Sequence, residues 1–286
     1  MILSYDLNKV IMPKKKNTFK NLFTCTNKLT IMPKRLWTRD EMILTLALYF
    51  QLPFGRLNHT TPEVRELAKL MNRTENAVAL RLVNFAACDP YIINSGRTGM
   101  PGGLSVCMPY WEEFVGDKEK LFLEAQQIKA KLLHQPIEET LHITSKELEG
   151  KEKETVIKQR VNQSAFRSMI LYNYEERCAI TGISIPDLLV ASHIIPWADS
   201  TPTQKLNPEN GICLSALYDR AFDRGFISID KNNKVLLADK LKQYETEVFY
   251  AAHFASIKNQ PIRLPEEHLP NPVFLEWHRD CVFNKV

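Results

Sequence analysis

The chain has 286 residues, 44% of them hydrophobic and 24% charged, and is long enough for two modest domains with buried cores. No apolar run approaches the roughly 20 residues that span a membrane. The N-terminal residues also lack the apolar core and cleavage site of a secretory signal. These features exclude a membrane-spanning class of protein and predict a cytoplasmic protein that does not engage the membrane.

Positive charge is concentrated at the N-terminus. Residues 1–36 contain eight Lys or Arg residues and one acid, Asp6, whereas the whole chain has a net charge of +4. Such a segment is typical of an arm held near a polyanion. A solvated leader explains the same composition, and so does an over-long start, with Met12 or Met32 as the real initiator. We expect residues 1–36 to be a flexible basic leader.

Four helices are predicted in residues 37–123, the last from Trp111 into the 120s, and the Gly-rich residues 91–110 before it are expected to be irregular. Thr38 and Glu41 match a capping box just before a strongly apolar run, which predicts a central first helix. Pro62 is placed for the first turn of a second helix, and Thr74 is placed to cap a third. The spacing therefore predicts a small all-helical domain.

The second and third of these helices, with the short polar turn between them, resemble a helix-turn-helix. The third helix would present Asn76 and Arg81, whose side chains can make bidentate contacts with adenine and guanine edges. An ordinary three-helix bundle with a solvated face explains the same pattern. Under the first interpretation, this domain would position DNA.

The composition changes again after residue 123. Residues 124–157 have many charges and almost no aromatic residues, which is typical of a partly helical connector. A second domain is expected over residues 158–286. Its first helix would bring Arg160, Gln163 and Arg167 near one another, as a row that could hold phosphates or could simply be solvated.

The residues with the clearest chemical potential lie in the second domain. His193 ends an apolar run, and a histidine can take a proton from water near neutral pH. Asn210 precedes Gly211 at the start of a second apolar run, where its amide can brace the loop and orient the imidazole. Asp219 and Asp223 are four residues apart and can share one hard cation. Taken singly, each has a structural explanation: a core histidine, a turn dipeptide and a salt-bridged surface helix.

The ordered set of motifs over residues 158–286 resembles the HNH endonucleases of the restriction type, whose unit is the ββα-metal finger. The motifs of that group are R-x-x-Q-x-x-F-R, C-A-I-T-G, H-I-x-P, N-G-x-x-L-S and F-D-x-G. The matching residues here are Arg160, Gln163, Phe166 and Arg167; Cys178 to Gly182; His193, Ile194 and Pro196; Asn210, Gly211, Leu214 and Ser215; and Phe222, Asp223 and Gly225. The helical region up to Phe114 also resembles the segment that precedes this nuclease in restriction enzymes.

The resemblance implies a role for each matched position. His193 corresponds to the general base, and Asn210 to the structural asparagine of the loop. The third histidine of the motif is expected near position 218 or 219, where this chain has Tyr218 and Asp219. Many such sites also carry an acidic or histidine ligand just before the base, where this chain has Ser192.

A single divalent cation is the cofactor that these residues predict. Asp219 and Asp223 would bind it through oxygen, which favours Mg²⁺ or Mn²⁺ over softer ions. The six cysteines are scattered and none forms a Cys-x-x-Cys pair, so a structural zinc is not expected.

Together these observations predict an α+β protein with an N-terminal helix-turn-helix-like domain and a C-terminal HNH ββα-metal domain. We expect a metal-dependent DNA endonuclease that acts on double-stranded DNA in restriction or host defence. A homodimer is an open expectation, because a duplex cut at a defined position often needs two active sites. The alternatives are a DNA-binding protein with an inactive HNH domain and an effector nuclease switched on by a signal.

Overall fold

A computed structural model describes residues 35–150 and 152–283 of the chain. Residues Trp37–Val286 form one compact unit. The first 34 residues of the predicted basic leader, residues 1–36, lie outside the described part of the chain. In the described part, no helix combines the length and the apolar character needed to cross a membrane.

Helices dominate the fold, and two small antiparallel sheets complete it. The helices are α1 (Arg39–Gln51), α2 (Pro62–Leu70), α3 (Glu75–Ala86), α4 (Pro90–Asn94), α5 (Leu104–Phe114), α6 (Lys118–Leu133), α7 (Ile137–Thr140), α8 (Ser145–Leu148), α9 (Lys153–Asn173), α10 (Pro202–Lys205), α11 (Ala216–Asp223), α12 (Val248–His253) and α13 (Pro272–Cys281). The strands are β1 (Leu189–His193), β2 (Gly211–Ser215), β3 (Ile227–Ile229) and β4 (Val235–Leu237). The expectation of a mixed helical and sheet protein is confirmed.

Helix α1 lies at the centre of the N-terminal part. The predicted capping box is present, with the Thr38 hydroxyl accepting from the Glu41 N–H and the Glu41 carboxylate accepting from the Thr38 N–H. Because α1 is apolar nearly all round, it can pack against α2, α3, α5, α6 and α9. Glu41 also pairs with Arg73 at 2.8 Å in a largely buried ion pair, which ties α1 to the turn between α2 and α3.

The segment after α3 is more helical than the sequence predicts. Residues 91–110, expected to be irregular, contain most of α4 and the first part of α5. The single helix expected from Trp111 into the 120s is wrong, because α5 ends at Phe114 and α6 begins at Lys118. The side chain of Asp117 caps α6 by accepting a backbone hydrogen bond from its first turn, and this local signal starts a new helix.

The charged segment over residues 124–157 contributes helices to the compact unit. Helix α6 continues through the expected start of the connector and packs against α1 and α9. Ala125 and Ile128 of this segment are buried. Helix α9 in turn begins at Lys153, before the connector's expected end. The charges of the segment lie on the outer faces of helices whose inner faces are part of the core.

The C-terminal part is organised around the hairpin of β1 and β2. The two strands are antiparallel, with His193 opposite Gly211. Helix α9 packs against both strands. A Cβ atom at position 211 would collide with the side chains of Phe166 and Ile170, so the missing side chain lets α9 approach the hairpin closely. Helix α11 follows β2 directly, and β3 and β4 form a second hairpin across residues 231–233.

Candidate functional site

The imidazole of His193 is held between two aromatic rings. It stacks on Phe166 of α9 with ring centroids 3.6 Å apart and planes 11° from parallel. The Trp197 ring meets it edge to face at 5.6 Å. Since aromatic contacts of this kind restrict ring rotation, the imidazole has one well-defined orientation at the end of β1.

One ring nitrogen of His193 is bonded within the protein. Its Nε2 lies 3.1 Å from the backbone carbonyl oxygen of Lys205. A carbonyl oxygen can only accept, so Nε2 must donate, and in the neutral ring Nδ1 keeps the basic lone pair. Burial lowers the pKa of His193, and the bond to the Lys205 carbonyl opposes this effect. The imidazole is therefore neutral at pH 7 and can accept a proton at Nδ1.

Asn210 braces the loop between the two strands. Its side chain is completely buried, and its Oδ1 accepts from the Ile195 N–H at 2.9 Å. Its Nδ2 lies 3.2 Å from each of three acceptors, the carbonyls of Ile195 and Gln204 and the hydroxyl of Ser200. These bonds fix the segment that ends at Lys205, the residue whose carbonyl meets His193. The structure therefore gives Asn210 contacts that position the loop.

The predicted metal-binding residues lie on the neighbouring helix, α11. Asp219 is partly buried beside Ser192, the residue that precedes His193 in β1. Burial raises the pKa of Asp219, while the nearby Ser192 hydroxyl and Arg220 lower it. The Ser192 oxygen is buried and makes no hydrogen bond of good geometry, so its influence on Asp219 is one of proximity. Successive residues of β1 thus face different helices, Ser192 towards α11 and His193 towards α9.

Asp223 lies one turn further along α11. Its side chain is exposed overall, but the protein atoms around its carboxylate raise the pKa to about 6, and the charge of Asp219 adds to this effect. The positive charges of Arg220 and Arg224 lower the pKa of these carboxylates but do not outweigh the effect of burial. A bound cation would stabilise the ionised form of both carboxylates.

The donor atoms here fit a hard cation. In the described part of the chain, no group of three or more His, Cys, Asp or Glu side chains is arranged to hold a metal ion. Mg²⁺, however, is commonly held by one or two carboxylates with water completing its shell. Asp219 and Asp223 supply two carboxylates, and the buried Ser192 oxygen beside Asp219 is without a hydrogen-bond donor.

The position of the expected third histidine is occupied by a structural residue. Tyr218 is buried, and its hydroxyl donates to the backbone carbonyl of His253 at 2.7 Å. Its side chain therefore supports the packing of α12 on α11. Any ligand at this point of the motif must come from Asp219.

The predicted phosphate-binding row on α9 is only partly open. Arg167 donates to the carbonyls of Leu189 and Pro186 at 2.7 and 3.0 Å and so holds the start of β1. Arg160 is paired with Glu147 of α8. Gln163, between them, is exposed. Two of the three side chains thus already have partners in the fold.

The two predicted base readers of α3 have different surroundings. Asn76 lies in the first turn and is exposed. The guanidinium of Arg81 lies 4.8 Å from the centre of the Trp37 ring, and its Nη1 is 3.6 Å from Cys107 Sγ. Arg73 covers the same tryptophan at 4.2 Å. The expectation that Arg81 points outward is wrong, because Trp37 at the start of the compact unit provides a cation–π partner for it.

Two contributors to the site were not singled out from the sequence. Trp197 directly follows the H-I-x-P motif, and Lys205 acts through a backbone atom. The tryptophan could have been noticed as an aromatic residue four positions after His193. The carbonyl of Lys205 could not have been found from the sequence, because any residue supplies one.

The model of the HNH endonuclease family matches residues 178–230, which include the β1–β2 hairpin and α11. This match confirms the resemblance of the segment to the HNH endonucleases, and it does not test the restriction-type branch. An HNH domain supports a nuclease, a hydrolase that acts on nucleic acid. No curated protein matches the chain.

Proposed function

We propose that this protein is a metal-dependent DNA endonuclease of restriction or host defence that uses His193 as its general base. The observation that carries the proposal is the state of the imidazole inside the matched segment. It is neutral, its ring is held by stacking, and its Nε2 is tied to the Lys205 carbonyl. Nδ1 is thereby left as the proton acceptor.

The proposed reaction is the hydrolysis of a phosphodiester bond. Nδ1 of His193 takes a proton from a water molecule while the water oxygen bonds to phosphorus. The bond between phosphorus and the 3′ oxygen breaks, and that oxygen takes a proton from solvent water, so that, as the family resemblance implies, the products carry a 5′ phosphate and a 3′ hydroxyl. Phe166 and Trp197 keep the ring in one orientation during proton transfer, which lowers the entropic cost of the step.

Asp219 and Asp223 would hold the divalent cation, Mg²⁺ or Mn²⁺. When bound, such an ion supplies positive charge to the phosphate and to the departing oxygen. The two carboxylates must be ionised to bind it, and their raised pKa values make that binding dependent on pH.

The proposed substrate is double-stranded DNA, positioned by the helices before α9. Helices α2 and α3 would act as the helix-turn-helix-like element, with the exposed Asn76 as the favoured base reader. Arg81 would have to leave Trp37 to reach a base. On α9, Gln163 is open to a phosphate, whereas Arg160 and Arg167 would contact DNA only by exchanging partners. A homodimer would bring two such sites to one duplex.

A DNA-binding protein with an inactive HNH domain is the second candidate. The observation that favours it is Tyr218, which stands at the expected ligand position with its hydroxyl already bonded to a backbone carbonyl. Nicking of supercoiled plasmid separates the two candidates. We expect nicking with Mg²⁺ or Mn²⁺ and none with EDTA. Tight DNA binding without nicking under any of these conditions would establish the second candidate.

A further inference from the structure

A cavity of about 240 Å³ lies between the N-terminal helices and the C-terminal segment, away from His193. It is bounded by α1, the start of α4, α5, the start of α6, α9 and the residues just before α13. The lining residues that matter most are Tyr49, Phe50, Trp111, Lys118, Asn173 and His268. The hydrolysis proposed above uses none of them.

The walls of the cavity are largely aromatic. The Phe50 and Trp111 rings have centroids 5.2 Å apart, and Tyr49 meets Trp111 at 5.9 Å. On another side, His268 stacks on Tyr91 at 4.3 Å with planes 23° from parallel. Flat, rigid ring surfaces of this kind are suited to a planar ligand.

One buried polar atom on the wall has no partner. Asn173 has 7% of its surface exposed, and its Nδ2 donates to the backbone carbonyl of His268 at 3.3 Å. In the described part of the chain, its Oδ1 is buried without a hydrogen-bond donor, and it has almost no accessible surface. A ligand donor therefore reaches this oxygen only when the Asn173 amide turns toward the cavity that it lines. Because a buried acceptor without a donor is costly, that turn would be stabilising when a donor is present.

The charged groups of the wall are largely committed to the protein. Asp89 accepts from the Tyr49 hydroxyl and the Tyr91 N–H, at 2.7 and 2.8 Å. Glu267 accepts from the Phe54 N–H and from an arginine. Lys118 lies over the Phe50 ring, with Nζ 4.7 Å from its centre.

The cavity therefore has charged groups of both signs near it and only a few polar groups that a ligand could bind. Arg97 pairs with Glu267, Asp89 accepts two hydrogen bonds and burial lowers the pKa of Lys118, so neither a strongly anionic nor a strongly cationic ligand is favoured. The groups that remain for a ligand are the Asn173 acceptor, the Lys118 donors and the ring edge of His268. Burial lowers the pKa of His268 to about 4, so its imidazole is neutral and offers one donor and one acceptor.

We propose that this cavity binds a nucleobase. A base has a planar ring for the aromatic walls, an amino or imino N–H for Asn173 Oδ1, and a ring nitrogen or carbonyl oxygen for Lys118. The base can come from a free nucleoside or from a nucleotide turned out of a DNA duplex. Both sources present the same chemistry to the cavity.

The first test measures binding of free nucleosides to the whole chain. The four deoxynucleosides and 5-methyldeoxycytidine are titrated by calorimetry without DNA, so the result is independent of cleavage. We expect at least one to bind and Asn173→Leu to weaken it at least tenfold, because the amide acceptor is lost. Lys118→Met, which keeps the apolar stem, should weaken the same ligand.

Asn162→Leu is the matched control. Asn162 also lies on α9, has 2% of its surface exposed and has an unpartnered Oδ1, but it does not line the cavity. Its substitution should leave nucleoside binding unchanged. Equal weakening by Asn162→Leu and Asn173→Leu would overturn the proposal, because it would show a general effect on the fold.

A second arm identifies the source of the base. Duplex DNA with 2-aminopurine opposite thymine brightens when that base leaves the stack. A fluorescence rise with the wild type that is lost in Asn173→Leu and Lys118→Met indicates a base turned out of DNA. Nucleoside binding without that rise indicates a free nucleoside. The proposal is overturned if neither assay gives a signal that these two variants remove.

Discussion

Two histidines of this protein stack on a phenylalanine in nearly the same way, yet within the described residues one has a hydrogen bond at a single ring nitrogen and the other at both. His193 lies on Phe166 and His278 on Phe222, each pair with centroids 3.6 Å apart and planes 11° and 8° from parallel. Burial lowers the pKa of both imidazoles, to about 4 for His278. Stacking and burial therefore make a neutral ring, but they do not by themselves make a base.

The difference lies in the second ring nitrogen. His278 is 1% exposed, and its Nδ1 and Nε2 lie 2.8 and 3.1 Å from the Ser228 hydroxyl and the Phe222 carbonyl. His193 is partly exposed and has one such bond, through Nε2. His278 thus joins α13 to α11 and β3, whereas Nδ1 of His193 has no hydrogen-bond partner in the described part of the chain. Four experiments test whether His193 and the neighbouring Asp223 act in catalysis while His278 contributes to stability.

The largest effect is expected on catalysis from His193→Ala. Loss of a general base typically slows a reaction by about 10²- to 10⁴-fold. We expect a decrease of that order in the rate of metal-dependent plasmid nicking, with DNA affinity in a gel-shift assay nearly unchanged. Undiminished nicking by this variant would remove His193 from the mechanism.

The next effect is expected on stability from His278→Ala. The substitution removes a stacked ring from the core and leaves the Ser228 hydroxyl without its ring partner, which together cost about 3 kcal/mol. Urea unfolding followed by circular dichroism measures the loss. His193→Ala serves as the comparison and should cost less, because its ring is partly exposed. Equal losses at the two positions would contradict the distinction.

The cost of His278→Ala should also depend on pH. The folded-state pKa of about 4 lies below the unfolded value of about 6.5, so the contribution of His278 is complete above pH 6.5 and is lost as pH falls through 4. The stability difference between wild type and variant should shrink by up to about 1.4 kcal/mol per pH unit between these values. A difference that stays constant from pH 7 to pH 4 would show that His278 is not buried in its neutral form.

The smallest effect is expected from Asp223→Asn on the metal requirement. Removing one of two carboxylates should raise the Mg²⁺ concentration for half-maximal nicking about tenfold, the scale of one lost charged contact. In the wild type, that concentration should also rise as pH falls through about 6, where Asp223 takes up a proton. Asp187→Asn, an exposed carboxylate outside α11, is the matched control. Identical metal titrations for the two variants would exclude Asp223 from the site.

The sequence predicted those features that depend on neighbouring residues. The strand ending at His193, the turn at Asn210 and the helix bearing Asp219 follow from apolar runs, turn residues and spacing. The partners of Arg81 and Arg167 did not follow. Their contacts join residues far apart in the chain. The sequence pattern around an arginine on a helix is the same whether its side chain faces solvent or a tryptophan.

The same limit applies to the cavity and to the break between α5 and α6. Asn173 stands in the sequence as one polar residue near a helix end, and its unpartnered oxygen is apparent only when five other segments surround it. Asp117, by contrast, carries a capping signal that was available in the sequence but was outweighed by the apolar residues on either side.

The hydrogen bond from His193 to the carbonyl of Lys205 determines which substitutions can alter the tautomer of the imidazole. Substitution of residue 205 cannot delete a backbone oxygen, so the choice of tautomer does not depend on which side chain stands there. It depends on the course of the loop, and that course is set by the amide of Asn210. The position of the proton on the imidazole is therefore fixed through Asn210 and not through the side chain of residue 205, which lies over the Trp197 ring.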